Sequence, residues 1–210
     1  MSVALDAQDA ARLQDCMTAG GLAVLPTDTV YGICCDPDDR AAARRLYELK
    51  GRPAARSCAV MFFSLGPALE ALGELPSAER AALQALLPGP VTVLIANRCH
   101  RFTAACRSDP ATLGLRVPRL QDTLAALSAV GVPVMQSSAN ISGEPDARTL
   151  EEVPAGLREH VDLVLDGGEL PGTPSTVVDL RDFDLQRRWH VLREGALSRE
   201  AVDRTLAPLR

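Results

Sequence analysis

Three short runs of this chain carry side chains able to do chemistry on a small polar substrate: "PTDTVYG" at residues 26–32, "SSANISG" at 137–143 and "GGELPGTPST" at 167–176. Each is rich in hydroxyls, amides or glycine, and each leaves an apolar run that reads as a strand. Ser, Thr, Asn and Gly are also ordinary turn residues, so one such loop would mean little. Three of them at strand exits lie where α/β sheets place their ligands. A fourth stretch, "ELKGRP", holds Lys50, the single lysine beside 21 arginines. Lysine meets a phosphate as a compact point charge, whereas arginine offers a planar fork. Lys50 and Arg52 flank Gly51 where a helix should end. Their charges are therefore expected to project from a turn, with Lys50 contributing little to the core. The competing reading is a pair of solvated cations, favoured near a helix C-terminus.

The elements that must position these residues alternate. Asp6 signals the start of a helix that Gly20–Gly21 closes. Leu22–Leu25 reads as a first strand. Residues 38–51 form a helix with Ala42, Leu46 and Leu49 on its apolar side and Gly51 as its stop. "SCAVMFF", "VTVLIA", "TLGLRVP", "VPVMQSS", "LVLDGG", "STVVDL" and "WHVLREG" read as strands. Ser77 is expected to cap a helix that "PGP" at 88–90 ends. Residues 119–131 make another helix, Thr149 and Glu152 form a capping-box pair, and Ser198 caps the last. Strands interleaved with helices predict an α/β protein, and the neighbouring late strands exclude a purely parallel sheet. The expectation is one domain over residues 1–210, a mixed, twisted, open sheet with helices packed on it.

A chain of 210 residues can bury about 70% of its unfolded surface and needs no staple. With 47% apolar but only 3% aromatic residues, its core must be Leu, Val and Ala. A net charge of −5 argues against general coating of nucleic acid, though not against a local basic cleft. Cys16, Cys34, Cys35, Cys58, Cys99 and Cys106 include no CxxC pair, and adjacent cysteines do not readily bridge. They fit neither a zinc site nor a secreted disulfide framework, which points to reduced thiols and a cytoplasmic location. Cys99, His100 and Cys106 lack a fourth ligand and the usual spacing, so no metal site is assigned. The N-terminus does not read as a signal peptide, and no stretch has the length of a membrane span.

Assembled, "LPTDTVYGICCDPDD", "LYELKGRP", "LPGPVTVLI", "LGLRVP", "SSANISGEP", "PSTVVDL" and "VLREGALS" resemble the YrdC-like family, the L-threonylcarbamoyladenylate synthases. The pieces cover roughly residues 5 to 200 in family order. The resemblance implies the YrdC/RibB-like fold in its short, single-domain form. It also implies a nucleotidyltransferase joining L-threonine, bicarbonate (or CO2) and ATP into threonylcarbamoyl-AMP and pyrophosphate. Downstream transferase machinery then uses that product to modify tRNA.

Carried over by position, the resemblance makes Thr27, Arg116 and Ser175 threonine-binding, with Arg116 on the carboxylate. It gives Lys50 and Arg52 to the phosphates as catalytic groups, and places Thr112, Ser138, Asn140 and Arg193 beside the nucleotide. Mg²⁺ is implied with ATP, without any acidic cluster to name its ligands. Weak tRNA binding and absence from membranes complete the expectation. Met61 stands where a substrate-facing His is common, Gln136 where a small or hydroxyl residue is common, and Asp146 where a Ser often meets ATP. These departures bear on the threonine pocket. Two other readings stand beside this one: a paralogue with altered carbamoyl-adenylate activity, and an RNA-binding protein. Scarce aromatics and the acidic balance count against the latter.

Overall fold

The computed structural model describes residues 4–51, 56–107 and 109–210. Its helices are α1 (Ala7–Thr18), α2 (Arg40–Leu49), α3 (Leu65–Leu72), α4 (Ser77–Leu86), α5 (Thr103–Cys106), α6 (Ala155–Arg158), α7 (Phe183–Gln186) and α8 (Arg199–Leu206). The strands are β1 (Ala23–Leu25), β2 (Gly32–Cys35), β3 (Ala59–Met61), β4 (Val91–Ala96), β5 (Thr112–Arg116), β6 (Val134–Ser138), β7 (Leu163–Val164), β8 (Thr176–Asp179) and β9 (His190–Arg193). Among the described residues they form one sheet in the order β7-β1-β2-β6-β3-β5-β4-β8-β9. The pairs β1/β7, β3/β5 and β4/β8 are parallel and the others antiparallel, so the sheet is mixed, as the late strands require.

Strand side chains alternate between faces, and that alternation divides the molecule. On one face Val24, Ile33, Val60, Val93, Leu115 and Val178 join the larger core with Leu46 of α2, Leu83 of α4 and Val202 of α8. On the other, Ala23, Leu25, Cys34, Met61 and Val134 pack against Leu13 and Met17 of α1 and against Leu127 and Val130. Burying Leu13 or Met17 fully is worth about 1.5–3 kcal/mol. This smaller core covers only one end of its face. The continuation of the same alternation, Ala59, Gly114, Leu94 and Gln136, is left to floor a cleft.

Asp6 caps α1 in a capping box with Asp9, and Ser198 caps α8. Four local expectations are corrected. Ser77 is the first residue of α4, with Pro76 before it. No helix starts at Thr149: the Glu152 carboxylate accepts from the Arg148 N–H at 2.8 Å, and α6 waits until after Pro154. Residues 122–129 are a 3₁₀ helix, in which Leu124 and Leu127, spaced by three, fall on one side. Finally, β2 starts at Gly32, the last residue read as loop, and runs through residues given no element, because four residues are too few to show an alternating pattern.

Candidate active site

The loop between β1 and β2 is tied by its own hydroxyls. Thr27 Oγ1 donates to the Val30 carbonyl at 2.7 Å and accepts from the Thr29 and Val30 N–H groups at 3.3 Å. This loop then gathers the other two. The Tyr31 N–H donates to the Ala147 carbonyl and the Ala139 N–H to the Tyr31 carbonyl, while the Gly172 N–H donates to the Thr29 carbonyl. The Tyr31 hydroxyl donates to Asp166 Oδ1 or the Gly168 carbonyl and accepts from the Gly167 N–H. Burial raises the Tyr31 phenol far above its ordinary value. The three loops that stood out in the sequence are thus one hydrogen-bonded unit.

At its centre is Arg116, at the end of β5 and 3% exposed. Its Nη2 donates to Thr27 Oγ1 (3.1 Å), Asp28 Oδ1 (2.7 Å) and Thr29 Oγ1 (2.6 Å). Asp28 Oδ2 also accepts from the Arg119 N–H at 2.9 Å, which pins the loop to the chain just after β5. Every one of these bonds uses Nη2. The buried Nε has no partner, and a buried donor without an acceptor is costly. The row of threonines that the sequence offers as a pocket wall therefore works one layer back, holding a guanidinium.

The cleft beside it measures about 400 Å³. Of the residues the sequence singled out, Thr112, Arg116, Ser138, Ser175 and Arg193 line it together. Ser175 and Thr92 share a hydroxyl–hydroxyl bond of 2.9 Å, and Arg193 Nη2 donates to the Ser175 carbonyl at 2.7 Å. Gly195 permits this approach, since a Cβ there would lie 2.2 Å from the Pro174 carbonyl oxygen. Desolvation lowers the Arg193 guanidinium from its ordinary value; Asp146 opposes that and Arg116 adds to it. Among the described residues Arg193 makes no ion pair, so it is a cation open to an anionic ligand.

Lys50 is a correction. It is 1% exposed, and its charge points inward. Nζ donates to the Ser138 carbonyl, to the Asn140 carbonyl (2.7 Å) and to Asn140 Oδ1 (3.0 Å). Asn140 Oδ1 also accepts from the Ser138 hydroxyl at 2.7 Å, and its Nδ2 donates to the Glu144 carbonyl at 2.6 Å. An ammonium has three donors and no fixed plane, which suits three acceptors of one loop better than an arginine would. Lys50, Asn140 and Thr27 thus stand behind the cleft wall, and Arg52 lies outside the described residues.

Sequence reasoning missed Arg181 and Thr92. Arg181 sits on the cleft, its Nη1 donating to Thr112 Oγ1 at 3.1 Å while Nε and Nη2 grip Asp179. The signal was the Asp179–Arg181 spacing at a strand exit. Met61 is buried in the smaller core, away from the cleft. Gln136 is on the cleft floor, 4% exposed, leaning so close to Gly32 that a Cβ there would meet its Nε2 at 2.5 Å. Asp146 and Asp109 also line the cleft.

A mixed sheet with one face half open, a cleft lined by Arg116, Arg181 and Arg193 and three polar loops beside it, defines an α/β protein whose cleft suits a small anionic ligand. The particular family follows from its relatives. The Sua5_yciO_yrdC family model, described as Telomere recombination, matches residues 15–195, and the chain belongs to that family. It is 36% identical over 186 residues to the threonylcarbamoyl-AMP synthase of Chromohalobacter salexigens, covering 86% of this chain and 99% of that one. It is 30% identical to the Pyrococcus abyssi enzyme of the same name, covering 91% of this chain and 55% of the relative. The solved P. abyssi Sua5 complexed with L-threonine superposes with a TM-score of 0.82 at 27% identity, over 96% of this chain and 58% of that chain. Escherichia coli YciO shares the fold, with a TM-score of 0.78 at 24% identity over 93% of both chains.

Proposed function

We propose that this chain is a threonylcarbamoyl-AMP synthase. The observation that carries the reading is Arg116, with one nitrogen fully engaged by Thr27, Asp28 and Thr29 and its buried Nε left without an acceptor. A carboxylate is the natural partner for such a fork. L-Threonine supplies one, and the relatives' names and the threonine-bound Sua5 support that choice. Thr27 then acts through Arg116, while the Ser175–Thr92 hydroxyl pair faces the amino acid.

In this reading the threonine amine attacks CO2, supplied by bicarbonate, forming an N–C bond and losing a proton to give a carbamate. A carbamate oxygen attacks the α-phosphorus of ATP, and the bond to pyrophosphate breaks. Both partners are anionic, so positioning and charge compensation supply the acceleration. Arg193 offers charge from the cleft lining. Lys50 keeps Ser138 and Asn140 in place on the nucleotide side, Thr112 is held by Arg181, and Arg52 is assigned to the phosphates from the sequence motif. Magnesium enters as part of the ATP substrate: among the described residues no cluster of three or more His, Cys, Asp or Glu could hold an ion. No helix among them is long and apolar enough to cross a membrane, and we place the enzyme in the cytoplasm, supplying a transferase that modifies tRNA.

Calorimetric titration with amino acids tests the pocket. L-Threonine should bind wild type, and alanine far more weakly, because a site built around a hydroxyl leaves buried polar groups unpaired without it. Equal binding of alanine and threonine would refute the reading.

A further inference from the structure

On the face of the sheet opposite the cleft, α2 and α5 bound a depression of about 410 Å³ lined by Arg40, Ala43, Arg44, Tyr47, Thr103 and Arg107. A second hollow of about 250 Å³ continues it, sharing Arg40 and Thr103 and adding His100 and Arg101. Four arginines therefore gather in one trough of a chain whose net charge is −5. Among the described residues Arg40, Arg101 and Arg107 pair with no carboxylate, and Arg44 reaches Glu48 only at 3.9 Å, both side chains being exposed. Arg40 and Arg44 are one helical turn apart, a like-charge spacing that disfavours the helix.

Two of the guanidiniums are held flat. The Arg107 guanidinium carbon lies 3.6 Å from the centroid of the Tyr47 ring, and that of Arg101 lies 4.6 Å from the Phe102 centroid. Stacking fixes the plane of a guanidinium and leaves its N–H edge for bidentate contacts; in Arg101 part of that edge is already used, Nη1 donating to the Ala71 carbonyl at 3.0 Å. Arg107, Phe102 and His100 all hold positive φ (56°, 54° and 47°), conformations that non-glycine residues seldom adopt without compensation. The segment is thus bent to bring Arg107 and Thr103 over α2, with Arg101 at the adjoining hollow.

We propose that this trough binds a compact polyphosphate anion. Bidentate arginine forks match phosphate oxygens, and the Thr103 hydroxyl adds a donor. The trough is also closed to long polymers. From Arg40 to Tyr47 it runs about 10 Å along α2, roughly three nucleotide steps. Asp38 lines one end, and Glu48 stands at the other. An extended RNA would leave the arginines only to meet those carboxylates.

Calorimetry with inorganic triphosphate, beside a single-stranded RNA oligomer, tests this on the full chain. Wild type should bind triphosphate, and Arg40→Ala with Arg107→Ala should lose at least ten-fold in affinity for it. Arg40→Ala alone, which disturbs no stacked ring, should lose part. Arg193→Ala, across the sheet, should keep the trough's binding. Turnover at saturating substrates should be unchanged in the trough variants, with melting temperature as the control for folding. Unchanged triphosphate binding in both trough variants would overturn the proposal. So would a loss of RNA binding alone, which would make the trough a backbone-docking surface.

Discussion

Lys50 offers the sharpest perturbation, because the structure changes what its removal should do. In Lys50→Ala the Ser138 and Asn140 carbonyls lose this donor, while Asn140 Oδ1 keeps the Ser138 hydroxyl. An orphaned buried acceptor costs about 1–3 kcal/mol, so two of them cost about 2–6 kcal/mol. At about 2–4 °C per kcal/mol for a chain of this size, a mid-range loss of about 4 kcal/mol lowers Tm by about 8–16 °C. Lys50→Met fills the space without restoring a donor, so it should melt low as well and exclude the possibility that a new water repairs the loop. Lys50→Arg should also be destabilised, since a planar fork cannot aim at three acceptors of one loop and has no room at a site 1% exposed. The assay is thermal melting beside turnover and ATP affinity. A Lys50→Ala protein that melts within about 2 °C of wild type would refute the bracing role and return Lys50 to a free charge.

Asp28→Ala should leave Arg116 buried without its carboxylate, a kind of loss that costs about 3–5 kcal/mol; in steady-state kinetics it should raise KM for threonine at least ten-fold with KM for ATP unchanged, and Asp28→Asn should recover part. Burial alone would raise the Asp179 carboxyl, but hydrogen bonds from Arg181 outweigh it and hold it below the usual value. Stabilisation from that pair is then fully present above about pH 3.9, the unfolded value, and is lost as pH falls through the lower folded one. Wild type and Asp179→Asn should differ in Tm at pH 7 and pH 5 and converge toward pH 2; a difference that grows on acidification would contradict this. With a thiol reagent at pH 8, exposed Cys99 should react at once and Cys16 slowly. Burial pushes the Cys34 and Cys35 thiols up, so they should appear only on unfolding, where all six cysteines titrate.

The open, mixed sheet was legible because its clearest apolar strand and its capped helices carry period and boundary together: Asp6 before α1, Val91–Ala96 alternating, Ser198 before α8. What escaped were elements set by tertiary contacts. β2 is four residues that pair because the 26–31 loop is tied by Thr27. α5 is a single turn held between residues of positive φ. Among candidate site residues, the motifs marked three loops that the structure ties together, but not the layers. Nothing in "TDT" says that the hydroxyls serve Arg116, 89 and 87 residues later. Nothing in "LKG" says that the lysine turns inward, because a helix end looks the same in sequence whether its last residue meets water or the carbonyls of Ser138 and Asn140.

The most direct test of the central claim is pyrophosphate release from ATP, with threonine and bicarbonate each omitted in turn and labelled bicarbonate followed into product. The account predicts release that requires both, with label in an adenylate that contains threonine. Release that continues without threonine, or that serine and alanine support equally, would contradict it.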